Sequence, residues 1–146
     1  MLIIGIGHPF RRDDGAGPTA AALLAALGFD TLSHHGEGTD LMERWQGHDD
    51  VVLIDATASG AAPGTVRLWQ ADQAPLPSGL FPKSSHTFGV AEAVEMARLL
   101  GRLPERMRVI GIEGADFSSG QDLSPAVAEG VAQAVRLCQE WTTSFP

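Results

Sequence analysis

The chain has 146 residues, 44% hydrophobic and 19% charged, which suits a single globular domain, residues 1–146, with a core of its own. Its formal charge of -8 argues against nucleic acid and anionic membrane surfaces as partners, because an acidic face repels both. One cysteine, Cys138, excludes an internal disulfide and a cysteine-built zinc site, and no apolar run reaches bilayer length, so the expected location is the cytoplasm.

Residues 2–6, LIIGI, form a short continuous apolar run with no basic region ahead of it. That reads as a strand covered on both faces, not as a secretory signal. A polar loop, residues 8–17, precedes an Ala/Leu-rich helix that Pro18 opens and Gly28 closes. Residues 29–33 are a second strand. Thr39 caps a short helix over 40–46 that carries Asp40 and Glu43 in its first turn. Residues 51–54 are an apolar strand ending on Asp55, and 64–70 alternate as a further strand. Three prolines mark 71–83 as a loop. Thr87 caps a helix over about 89–100, residues 107–112 are the last strand, and Ser124-Pro125 opens a long C-terminal helix.

Alternating strands and helices imply an α/β fold: three layers, with an open, mostly parallel sheet of about five strands and helices on both faces. The link from Asp55 to residue 64 is too short for a parallel crossover, so the strand at 64–70 is expected to be antiparallel and at the sheet edge.

In such sheets ligands bind beyond the carboxyl ends of the strands, where the strand order reverses. Asp13 and Asp14 follow the first strand, Asp55 ends the third, and His86 precedes a helix that must start on the same edge. Carboxylates and an imidazole then converge on one rim, a donor set that suits zinc, nickel, cobalt or manganese with coordination positions left open. Taken singly, each has a structural reading as well: an acid bonding loop amides, a turn residue, a helix-capping histidine. Other motifs fall away. Phe10 stands where a dinucleotide fingerprint needs its third glycine, and there is no HExxH, no phosphate-binding GK[ST] and no GxSxG elbow to make Ser84 or Ser85 a nucleophile beside His86. Cys138 fits a helix core. His34 and His35, consecutive on a strand, should point to opposite faces and read as a loop entry.

Five segments in order resemble the hydrogenase maturation proteases. They are GIGHPFRRDDGAG (5–17), GEGTDLM (36–42), LIDA (53–56), SHTFGV (85–90) and IGIEG (110–114). The resemblance implies an endopeptidase that removes the C-terminal extension of a nickel-iron hydrogenase large-subunit precursor once nickel is in place. A non-catalytic nickel-binding or chaperone module on the same fold is the rival reading. The family's metal-contacting residues map onto Asp14, Asp55 and His86, which would carry both catalysis and metal contact. Three mechanisms stay open: completing the coordination of the precursor's nickel, metal activation of the scissile carbonyl or of water, or an aspartate general base. No tightly bound cofactor is expected. The precursor's nickel would be bridged at the site, and other divalent metals would bind in vitro. Glu37, Gly38 and Thr39 are expected to touch substrate, since the glycine lets peptide backbone approach and Glu37 can meet a basic group. The alternative is a plain turn capped by Thr39. Two positions depart from the family pattern: His8 replaces an asparagine, and Glu37 a glycine.

Overall fold

The computed structural model describes residues 1–82 and 86–143. Lys83, at the end of the expected loop, and Ser84 and Ser85 lie outside the described residues. Five strands, β1 (Leu2–Ile6), β2 (Asp30–His34), β3 (Asp50–Thr57), β4 (Val66–Gln70) and β5 (Arg106–Glu113), form one sheet in the order β2-β1-β3-β5-β4. All neighbours are parallel except β4 and β5, which are antiparallel. The short link after Asp55 therefore has the expected consequence, and β4 lies at the edge.

The helices are α1 (Ala16–Ala26), α2 (Gly38–Trp45), α3 (Val90–Leu99) and α4 (Pro125–Thr143). Side-chain alternation along the strands sorts the core into two layers. Leu2, Ile4, Ile6, Val51, Leu53, Met107 and Val109 pack with Leu41, Trp45, Val90 and Val94 of α2 and α3. Ile3, Val52, Ile54, Ile110 and Ile112 pack with Ala20, Leu24, Val131 and Cys138 of α1 and α4. Strands β1, β3 and β5 are buried on both faces, which is why their sequences read as unbroken apolar runs.

The starts of α1 and α3 differ from expectation, as does that of α2. A 3-10 turn, Arg12–Gly15, runs directly into α1, so the helix begins at Ala16 and Pro18 sits in its first turn, where a missing N–H costs nothing. Gly17 makes this possible: a Cβ there would press into the backbone of Ile6 and Ile54. At α3 the cap is Gly89, not Thr87, and the Glu92 carboxylate reaches back to the Gly89 N–H at 2.8 Å. No helix among the described residues is long and apolar enough to cross a membrane.

Candidate functional site

The strand register lines up His34, Ile6, Asp55 and Gly111 across four strands near the carboxyl edge. Partners in parallel strands share a face, and Ile6 faces α2 and α3. His34 and Asp55 therefore project from that same face. Asp55 does not end its strand. β3 continues to Thr57, and this leaves the Asp55 side chain in the wall of the sheet, only 5% exposed.

Asp14 is brought in from the other side of β1 by the 3-10 turn. Gly7, at φ 145°, permits the approach, because a Cβ there would collide with the Asp14 carbonyl. The His8 backbone N–H donates to Asp14 Oδ2 at 2.8 Å, while the His8 ring accepts from the Phe10 N–H at 3.2 Å. Position 8 thus holds Asp14 through its backbone, a contact that His supplies as well as Asn.

His86 enters from the loop ahead of α3. That loop is tied down at two points: Gly38 N–H donates to the Phe88 carbonyl at 2.7 Å, and Ala58 N–H to the Leu80 carbonyl at 2.8 Å. Asp14, Asp55 and His86 line one cavity of about 430 Å³, together with Arg11, His35 and Gly36. The three share this cavity without forming a ready coordination sphere. Among the described residues, the group whose ligand atoms lie within 4.8 Å of one another is His34, His35 and Asp40.

Two further wall residues are Arg11, which nothing in the sequence singled out, and His35, which read there only as part of a loop entry. Consecutive histidines on a strand would diverge, but β2 ends at His34. Gly36, at φ 97°, turns the chain there, and the two rings stack with centroids 4.6 Å apart. His35 Nδ1 then lies 3.5 Å from His86 Nε2. The only signal in the sequence was the glycine after the pair.

The loop after β2 reaches the cavity at Gly36, whereas Glu37, Gly38 and Thr39 are not part of its wall. The Glu37 carboxylate accepts from the N–H groups of Thr39 at 2.6 Å and Asp40 at 3.2 Å, so Glu37, not Thr39, caps α2. Gly38 is buried against the Phe88 ring, which a Cβ would strike. Thr39 is exposed.

Three buried acids behave differently. Burial pushes the Asp13 carboxyl up, but N–H bonds from Ser124, Ala115 and Asp116 and the Ser124 hydroxyl outweigh it and hold the group below the usual range. Glu113 is likewise lowered: bonds from Thr57, Ser59 and Gly60 overcome its burial. Both pin loops. Asp55 is raised well above the carboxylate range, first by burial and then by the charge of Asp14, against which the Ala56 N–H is a weak offset. Cys138 is buried in the core, which pushes its thiol up to about 11, so it is no nucleophile.

A family model described as HycI, hydrogenase maturation protease, matches residues 36–141. The chain belongs to the hydrogenase maturation protease family. It is accordingly a peptidase, and the rival reading as a non-catalytic module falls away. The HupD hydrogenase expression/formation protein of Bradyrhizobium diazoefficiens is 30% identical over 97% of this chain and 79% of its own. HupD of Thiocapsa roseopersicina is 27% identical over 99% and 68%. The structure superposes on the [NiFe] hydrogenase maturation protease HybD from Thermococcus kodakarensis with a TM-score of 0.75 and 27% identity, covering 96% of this chain and 97% of that one. HybD from E. coli, at 20% identity, shares the fold with a TM-score of 0.76 over 94% and 88%.

Proposed function

We propose that this maturation protease cleaves the C-terminal extension from a nickel-iron hydrogenase large-subunit precursor, and that Asp14, Asp55 and His86 meet the nickel the precursor carries. The observation behind this reading is Asp55: a carboxyl in a desolvated wall beside a second acid, with too few hydrogen bonds to offset its burial. The other buried acids, Asp13 and Glu113, each accept hydrogen bonds from three residues. An acid left short of partners next to another acid suits a site that waits for a cation. Carboxylate oxygens and imidazole nitrogen are donors that nickel accepts.

In this reading the protease holds no resident metal and meets nickel through its substrate. Nickel bound by precursor thiolates docks on Asp14, Asp55 and His86, which sets the adjacent tail in the cavity. Hydrolysis then adds one water across the scissile C–N bond, giving a carboxyl and an amine. A nickel-free precursor lacks the anchor and escapes. Gly36 offers the tail a close backbone approach, while Glu37, Gly38 and Thr39 hold the rim. The reaction belongs in the cytoplasm, where a single reduced thiol is unremarkable.

The test pairs metal-free protease with nickel-loaded and nickel-free precursors and reads cleavage by intact mass. The expected result is cleavage of the loaded precursor alone, with Asp14→Asn, Asp55→Asn and His86→Ala each impaired but folded. Equal cleavage of both precursors, or a strict need for zinc on the protease, overturns the nickel anchor. Normal processing by all three variants rejects the site.

A further inference from the structure

The backbone splits the consecutive pair Arg11-Arg12. Arg12, at φ 43°, is the one non-glycine residue with positive φ among the described residues. Such a conformation persists in an L-residue where its surroundings enforce it. The Arg12 N–H donates to the Gly120 carbonyl at 3.0 Å, and the Gly120 N–H to the Phe10 carbonyl at 2.9 Å. The Arg12 guanidinium closes on Gly120, where a Cβ would strike it, and pairs with Asp116 at 3.6 Å. Arg11 is fixed through its own backbone: its N–H donates to the His8 carbonyl at 3.1 Å, and its carbonyl accepts the Asp14 N–H at 3.0 Å. The reversal sends the Arg12 side chain to the 114–124 loop and leaves Arg11 in the wall of the cavity.

Arg11 is the one arginine or lysine among the described residues of that wall. Its Nε donates to the Phe117 carbonyl at 3.4 Å, a long contact that sets where the side chain lies. The terminal nitrogens, the fork of the guanidinium, have no partner among the described residues. Asp14 shares the cavity, yet its Oδ2 accepts the His8 N–H and it makes no ion pair with Arg11. A permanent positive charge with its fork uncommitted is open to an acceptor that arrives. Peptide hydrolysis supplies one. The water oxygen bonds to the carbonyl carbon and the π pair moves onto the carbonyl oxygen. When the C–N bond breaks, that oxygen becomes part of a carboxyl group and the departing nitrogen takes a proton from the water. Negative charge thus develops on a single oxygen, and donors already placed there lower the barrier more than they strengthen substrate binding.

We infer that Arg11 is a further catalytic residue, whose guanidinium fork takes the scissile carbonyl oxygen of the precursor and holds the negative charge that forms on it. This rests on the reading of the cavity as the place of cleavage. The cavity then has two tasks on separate groups: Asp14, Asp55 and His86 seat the precursor's nickel, and Arg11 acts on the bond that is cut.

The test follows cleavage of nickel-loaded precursor by an excess of the full-length protease, read by intact mass, so that the saturating rate and the half-saturating concentration are obtained separately. Arg11→Ala should lose at least about a hundredfold in the saturating rate, the lower end of the loss for one oxyanion donor, with the half-saturating concentration within about twofold of wild type. Arg11→Lys keeps the charge without the fork and should fall between the two. Millimolar guanidinium chloride should restore part of the Arg11→Ala rate where sodium chloride does not, and should leave His86→Ala unimproved. A wild-type rate in Arg11→Ala overturns the assignment, as does a loss confined to the half-saturating concentration. So does a loss that neither lysine nor guanidinium recovers, since packing of the loop would then explain it. The nickel-free precursor separates this assignment from the nickel anchor. If wild type cleaves both precursors equally and Arg11→Ala is slow on both, the Arg11 assignment stands and the anchor falls. If only the loaded precursor is cleaved and Arg11→Ala matches wild type, the reverse holds.

Discussion

Asp13 and Asp55 are both buried aspartates near the same sheet edge, and their environments give them opposite effects on stability. Asp13 serves the amides of Ala115, Asp116 and Ser124. Its lowered pKa means that its ionised form stabilises the fold above the ordinary aspartate value of about 3.9, and that this stability is lost as pH falls through the lower folded value. Asp13→Ala strands three amide donors and the Ser124 hydroxyl and is expected to cost roughly 2–4 kcal/mol in urea unfolding at pH 7. Asp55 has the reverse sign. Its raised pKa favours the protonated form in the fold, so it penalises folding increasingly as pH rises above the unfolded value. Asp55→Asn should therefore raise the Tm at pH 7–8 while abolishing processing, with the gap to wild type closing toward pH 4. Calorimetry across that range measures both halves, and a variant less stable than wild type at pH 8 would show that Asp55 is structural. In sequence the two aspartates looked alike, because the hydrogen-bond partners that separate them come from segments remote in the chain.

At the scale of elements, the segment after β2 and the segment before α3 act as one unit. Gly38 bonds the Phe88 carbonyl and packs on its ring, and Phe88 is two residues from His86. Gly38→Ala would bring a Cβ to 2.6 Å from Phe88 Cε2 and shift the His86 loop. Processing should fall by at least about tenfold, and adding Phe88→Ala should recover part of it; normal cleavage by Gly38→Ala would uncouple the two segments. Glu37→Ala, which removes only a cap, should cost about 0.5–2 kcal/mol of stability and leave cleavage within about twofold. A large loss of precursor affinity in that variant would return Glu37 to the substrate. Elements buried on both faces were legible because their apolar runs have no other use. Helix starts were not. Ser124 stands where a cap belongs, yet its hydroxyl donates to Asp13, and Thr87 yields the cap of α3 to Gly89. Which oxygen a helix end recruits depends on what packs beside it.

At the scale of the whole molecule, the cavity draws on four separate parts of the chain: the loop after β1, the turn after β2, the wall of β3 and the loop before α3. An ion held by all of them must bind the folded state far better than the unfolded one. At a hundredfold excess over the dissociation constant, nickel(II) should add about 2.7 kcal/mol and raise the Tm by about 5–10 °C. His86→Ala should lose most of that shift, and an equal shift in both proteins would place the ion elsewhere.

The amino-acid order by itself determined the layer architecture, because period and apolar run length report burial directly. It also determined the antiparallel edge, because about ten residues cannot carry a parallel crossover. The rim that holds Asp14, Asp55 and His86 followed from the same topology, and five motifs in order identified the family. Only the tertiary structure showed what occupies Asp13, the loop amides and hydroxyl that it binds, and that Glu37 caps α2. It alone brought His35 to His86. Each of these turns on a partner far away in the chain or on a backbone reversal at a single glycine, and neither leaves a periodic trace in the sequence.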